Sequence, residues 1–136
     1  MDPRVLIVEH ELITAEPLVM MLTWAGFAVE RAQDALEALT RTRAWRPDVV
    51  LADARLPGGQ SGLDLCRALR REAGMSGVPV VLFAAADEAD VPWRQAGATA
   101  FLRKPIGLRS LPALLRQLLL VGGAGGPPAD VPVPAV

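Results

Sequence analysis

Residues 47–70 read PDVVLADARLPGGQSGLDLCRALR, and this stretch decides the fold. Val49–Ala52 is a short, continuous apolar run, the pattern of a strand buried on both faces. It stops at a carboxylate, Asp53, and turn residues Pro57 and Gly58 follow. Leu63, Cys66 and Leu69 then recur at helical spacing, with a stop near Gly74. A strand without a polar face, feeding a helix, calls for a parallel sheet covered on both sides.

The same alternation extends in both directions. Val5–Val8 and Val78–Phe83 are further continuous apolar runs, and weaker strands fit Phe27–Ala32 and Ala100–Arg103. Leu18, Met21, Leu22 and Ala25 follow a helical period that Gly26 ends. Ala35, Leu36 and Leu39 open a second helix behind a natural N-cap, Asp34. The last helix carries Leu111, Leu114, Leu115, Leu118 and Leu119. Strands and helices therefore alternate five times, which predicts an α/β domain with a five-stranded, doubly wound parallel sheet and right-handed crossovers. Three prolines disturb the helices. Pro17 predicts a first helix starting near Thr14, Pro92 falls inside a short fourth helix between Asp87 and Ala96, and Pro112 sits in a tolerant first turn.

Composition narrows the setting. The 136 residues carry a net charge of −1, so nothing favours nucleic acid or an anionic membrane surface. A single cysteine, Cys66, excludes an internal disulfide framework and a Cys-rich zinc site, and its place on an apolar stripe predicts a core residue. No apolar run approaches the length of about 18 residues that a membrane span needs. The N-terminal residues lack the pattern of a signal peptide, so the expected compartment is the cytoplasm. Residues 122–136, GGAGGPPADVPVPAV, cannot bury enough surface to order themselves and are expected to form a disordered tail after a single domain at 1–121.

Ligands of an open parallel sheet bind beyond the carboxyl ends of its strands. Here those ends supply Glu9-His10-Glu11, Asp53, Ala84-Ala85 and Lys104-Pro105. Carboxylates beside a lysine suit phosphoryl transfer onto a carboxylate, because lysine offers a point charge to phosphate and acids hold a Mg²⁺.

Four segments in order, VLIVEHE, PDVVLADARLPGGQSGLDLCRALR, PVVLF and GATAFLRKPI, resemble the receiver domains of two-component response regulators over residues 4–121. The resemblance implies a flavodoxin-like fold with strand order 2-1-3-4-5. It makes Asp53 the phosphoacceptor, Lys104 the phosphate-facing lysine, Glu9 the first of an acidic pair, and Phe101 the aromatic switch position. The Arg55 backbone carbonyl would join Glu9 and Asp53 around Mg²⁺. A histidine kinase or phosphotransfer protein would donate the phosphoryl group, and output would shift the face formed by the fourth helix, fifth strand and fifth helix. The domain would signal and not act as an enzyme.

Two positions depart from the family. His10 stands where a second acid binds the metal, and imidazole suits the hard Mg²⁺ ion poorly. Ala84 stands where a Thr or Ser hydroxyl bonds the phosphoryl group. A pseudo-receiver, binding partners without phosphorylation, is therefore the alternative reading. The carboxylates near His10 favour an imidazolium that replaces part of the missing cation; a neutral bystander and a transition-metal site of Glu9, His10 and Asp53 are the other readings. A dehalogenase-like hydrolase would need an acid two residues after Asp53, where Arg55 stands. Trp24, Trp45 and Trp93 read as packing residues. Leu118–Val121, apolar all round, suggests a partner or homodimer contact.

Overall fold

A computed structural model describes residues 2–85 and 90–122 of the chain. Its elements are β1 (Arg4–Val8), α1 (Leu12–Trp24), β2 (Ala28–Ala32), α2 (Ala35–Trp45), β3 (Val49–Asp53), α3 (Gly62–Arg71), β4 (Val80–Ala84), β5 (Ala100–Arg103) and α4 (Leu111–Gly122). All strand pairs are parallel and the order is β2-β1-β3-β4-β5. The expected sheet and its order are those observed.

Alternate residues of each central strand enter opposite cores. Leu6, Val8, Val50 and Ala52 face α2 and α3, packing on Ala35, Ala38, Leu65, Cys66 and Leu69. Val5, Ile7, Val49 and Leu51 face α1 and α4, packing on Leu18, Leu22, Leu111, Leu115 and Leu118. Two covered faces explain why these strands show no polar alternation. Each fully buried Leu, Ile or Phe contributes about 1.5–3 kcal/mol.

Local chemistry sets the helix ends. Asp34 caps α2 by accepting the Glu37 amide, and Ser61 and Asp64 form a reciprocal capping box on α3. Gly26, at φ 98°, provides the left-handed residue just beyond α1.

Three expectations need correction. α1 begins at Leu12 rather than Thr14 and carries Pro17 in its interior. The ring removes a single helical hydrogen bond, and burial of Leu18 and Leu22 holds the helix across the gap. No helix forms at residues 90–99; the part of the expected fourth helix at 87–89 lies outside the described residues. Pro92 restricts Val91 and Gly97 adopts φ 96°, leaving room for one turn, closed by the Ala96 amide on the Pro92 carbonyl at 3.2 Å. Trp24 is 89 % exposed, whereas Trp45 and Trp93 pack against the core as expected. Cys66 is fully buried. The tail assigned to 122–136 lies outside the described residues apart from Gly122, which ends α4.

Candidate functional site

Parallel pairing brings the ends of β1, β3, β4 and β5 to one edge of the sheet. Asp53 is the last residue of β3 and pairs in register with Phe83 of β4. Glu9 directly follows β1, and its amide donates to the Ala32 carbonyl at 3.0 Å. Lys104 directly follows β5, its amide tied to the Ala84 carbonyl at 2.8 Å, and it precedes a cis peptide bond to Pro105.

The three side chains meet. Lys104 Nζ donates to Asp53 Oδ2 at 2.8 Å and to Glu9 Oε1 at 3.3 Å. The second carboxylate oxygen, Asp53 Oδ1, accepts the Arg55 amide at 2.8 Å. They line a cavity of about 350 Å³ that also meets His10, Glu11, Arg55 and Ala85. Glu9 is 2 % exposed and Asp53 6 %.

Burial disfavours the charged Glu9 carboxylate, and the neighbouring Asp53 charge adds to that; Lys104 opposes both, yet the Glu9 pKa ends above its ordinary value. Burial pulls Lys104 downward, but the hydrogen bond and charge of Asp53, with the charge of Glu9, outweigh it and raise its pKa. The lysine therefore stays charged and serves as a built-in counter-ion for two acids.

Glycine makes this closeness sterically accessible. The Gly62 amide donates to the Ala54 carbonyl at 2.9 Å, and a Cβ at Gly62 would overlap the Asp53 carbonyl oxygen and lie 2.9 Å from Ala54 Cα. The start of α3 is thus pressed against the end of β3. Gly62 is a site-shaping residue that the sequence reasoning did not single out. A glycine just after an N-cap, where almost any residue forms helix better, was the available signal. Arg31 was also overlooked, because its partners are backbone carbonyls.

The other expected positions fall as follows. His10 is exposed at the cavity rim. Among the described residues no group of three His, Cys, Asp or Glu side chains could hold a metal ion, so the alternative of a transition-metal site at Glu9, His10 and Asp53 is not formed. Mg²⁺ asks for less, since it keeps several waters and binds through one or two carboxylates. Glu9 and Asp53 on one cavity fit that requirement, with Lys104 as competitor for the same oxygens. Ala84 is fully buried and packs with Phe101 in the core on the α2–α3 side. Phe101 is 5 % exposed, stacked on Trp93 at 6.2 Å and 11° between ring planes, with the Arg103 guanidinium 5.6 Å from its centroid.

A second cavity, about 430 Å³, adjoins the first through Ala85 and Lys104. Ile13, Pro17, Leu18, Ile106 and Leu108 make it apolar. No described helix is long and apolar enough to cross a membrane.

The family model described as "Response regulator receiver domain" matches residues 5–116. The DNA-binding response regulator MtrA of Mycolicibacterium paratuberculosis is 39 % identical over 121 residues, covering 88 % of this chain and 52 % of the relative. The chain thus spans about half the length of the curated relatives it matches. Among solved structures, chemotaxis response regulator CheY4 of Vibrio cholerae superposes with a TM-score of 0.76 at 26 % identity, over 87 % of this chain and 99 % of that one. The receiver domain of sensor histidine kinase PA1611 from Pseudomonas aeruginosa, described with a magnesium ion coordinated in its active site cleft, superposes with a TM-score of 0.80 at 25 % identity. That match covers 88 % of this chain and 98 % of the other.

Proposed function

Because this chain belongs to the response regulator receiver domains, the signalling modules of two-component systems, we propose that Asp53 accepts a phosphoryl group from a histidine kinase or phosphotransfer protein. The observation that carries this reading is the Lys104–Asp53 pair, 2.8 Å apart at the wall of a solvent-accessible cavity. A carboxylate oxygen of Asp53 attacks phosphorus, the bond from phosphorus to the donor atom breaks, and that atom leaves with the bonding pair. Lys104 offsets charge on the transferring oxygens, as the Arg55 amide does on the acceptor side. Mg²⁺, held by Glu9, Asp53 and the Arg55 carbonyl, would neutralise further phosphoryl charge.

Output would pass through protein contact. α1 presents Ile13, Met20 and Trp24, respectively 88 %, 71 % and 89 % exposed, along one apolar stripe that starts at the second cavity. Such a stripe beside the acceptor suits an apolar helical partner. Leu120, 87 % exposed on α4, supports self-association as a further part of this reading. What MtrA's name says of DNA belongs to MtrA.

A second reading is the pseudo-receiver. It is favoured by Lys104 bridging both acids, and by Phe101 stacked on Trp93 where Ala84 offers no hydroxyl. Incubation with Mg²⁺ and acetyl phosphate, followed by intact mass, separates the two. A phosphate-sized gain, absent in Asp53→Ala, supports the acceptor. No gain in the native chain or in His10→Asp/Ala84→Thr rejects phosphorylation by this route.

A further inference from the structure

A second basic residue shapes the site from behind. Arg31 lies on β2, in register with Ile7 of β1. Its Nε donates to the Glu9 carbonyl at 3.1 Å, and its Nη2 donates to the Glu9 and His10 carbonyls, both at 2.8 Å. Both carbonyls precede α1, whose hydrogen-bond ladder begins at the carbonyl of its N-cap, Glu11. They lie between strand and helix, where a side chain must serve if protein is to satisfy them.

The Glu9 amide is already held by Ala32 of the same strand. Arg31 thus completes the tethering of the Glu9 backbone to β2 on both its polar groups. With that backbone fixed and the side chain 2 % exposed, the Glu9 carboxylate is directed to Lys104 Nζ. The His10 carbonyl is fixed by the same guanidinium, which sets where the imidazole leaves the loop. A guanidinium presents its donors in a fixed planar fork that holds two acceptors in one geometry, whereas a lysine ammonium offers its donors from a single freely rotating atom.

We propose that Arg31 is a positioning residue for this site. Its guanidinium fixes the Glu9–His10 backbone, and through it the Glu9 carboxylate relative to Lys104 and Asp53. The phosphoryl-transfer consequence rests on the acceptor reading of Asp53; the positioning itself does not.

The test compares Arg31→Ala and Arg31→Lys in the full chain. Arg41→Ala serves as control, because Arg41 lies on α2 and its guanidinium pairs with Glu30 and Glu37. Amide NMR on Arg31→Ala is expected to show shifts at Ala54 and Lys104, at the ends of strands two and four positions away from β2, besides those at residues 9–11. The rate of phosphorylation from acetyl phosphate is expected to fall about tenfold, in kcat rather than KM. Arg31→Lys recovers part of it, and Arg41→Ala stays at the native rate. Unmoved Ala54 and Lys104 amides, or a native rate in Arg31→Ala, overturn the proposal. If the native chain takes no phosphoryl group but those amides still move, the positioning role stands and the acceptor reading falls. Should Arg31→Ala not fold, the same amides in Arg31→Lys decide the matter.

Discussion

Lys104 Nζ lies 2.8 Å from Asp53 Oδ2 and 3.3 Å from Glu9 Oε1, so one ammonium group bridges two buried carboxylates. Their positions come from different strands, and the lysine is the group that makes their closeness tolerable. Removing one partner of a buried pair costs about 3–5 kcal/mol, because it strands a desolvated charge. The Lys104 side chain is 28 % exposed, so solvent screens part of that. Lys104→Met should therefore lower stability by about 2 kcal/mol, and Lys104→Met/Asp53→Asn should recover most of the loss. Urea unfolding at pH 7 checks both; additive losses in the double variant would contradict the bridge.

Glu9 gives a pH-dependent counterpart. Its folded pKa lies above the unfolded value, chiefly through burial and then through Asp53. A group raised in this way contributes most stability below its unfolded pKa, and the contribution is lost as pH rises through the folded one. Glu9→Gln keeps the shape and removes the charge. Its melting temperature should exceed the native one at pH 7, and the difference should shrink as pH falls toward 4.5, the ordinary glutamate value. Lys104 titrates at the other end: its raised pKa adds stability that is lost as pH climbs past 10.5. Calorimetric scans from pH 4 to 11 read both windows, and a pH-independent gap between the proteins would reject the Glu9 assignment.

Gly62 should be intolerant of even one methyl group. Its Cβ would meet backbone atoms of Asp53 and Ala54, which cannot swing aside as a flexible side chain can. Overpacking of this kind costs about 1–3 kcal/mol, and at a backbone contact the upper part of that range applies. Gly62→Ala is expected to destabilise the domain by about 3 kcal/mol, although alanine is the better helix former. A neutral or stabilising result in urea would show that α3 can retreat from β3.

The legible parts of this molecule were those that single segments encode. Val49–Asp53 and its sister strands are apolar on both faces, so their burial and their alternation with helices could be read directly. Asp53, Glu9 and Lys104 could be placed because a parallel sheet delivers every strand end to one edge. Contacts to backbone atoms left no such trace: Arg31 holds two carbonyls and Gly62 yields space to another. Pro17 misled in one direction, since burial of Leu18 and Leu22 carried α1 through it. Pro92 acted in the other, because the nearby Gly97 left a single turn with nothing to extend it. Trp24 shows a third limit: residue type suggested packing, but its place at the end of α1 exposes it.

His10 offers the sharpest test of the metal question. It lies exposed on the cavity that Glu9 and Asp53 line, so a carboxylate there would add a third oxygen donor without disturbing the core. Mg²⁺ strongly prefers such oxygen donors to imidazole. Binding to the folded state raises stability by RT ln(1 + [L]/Kd), so a tenfold gain in affinity appears as about 1.4 kcal/mol at saturating ion. For a domain of this size that is a rise of about 4 °C in melting temperature beyond whatever Mg²⁺ does for the native chain. His10→Asp should show that increment in a Mg²⁺ titration, and His10→Asn, with one neutral oxygen, less of it. Because the extra acid also repels Glu9 and Asp53, the same variant should be less stable than the native chain when Mg²⁺ is removed by chelation. Opposite signs with and without the ion are the signature of a cation position. Equal shifts in all three proteins would place His10 outside the metal's reach.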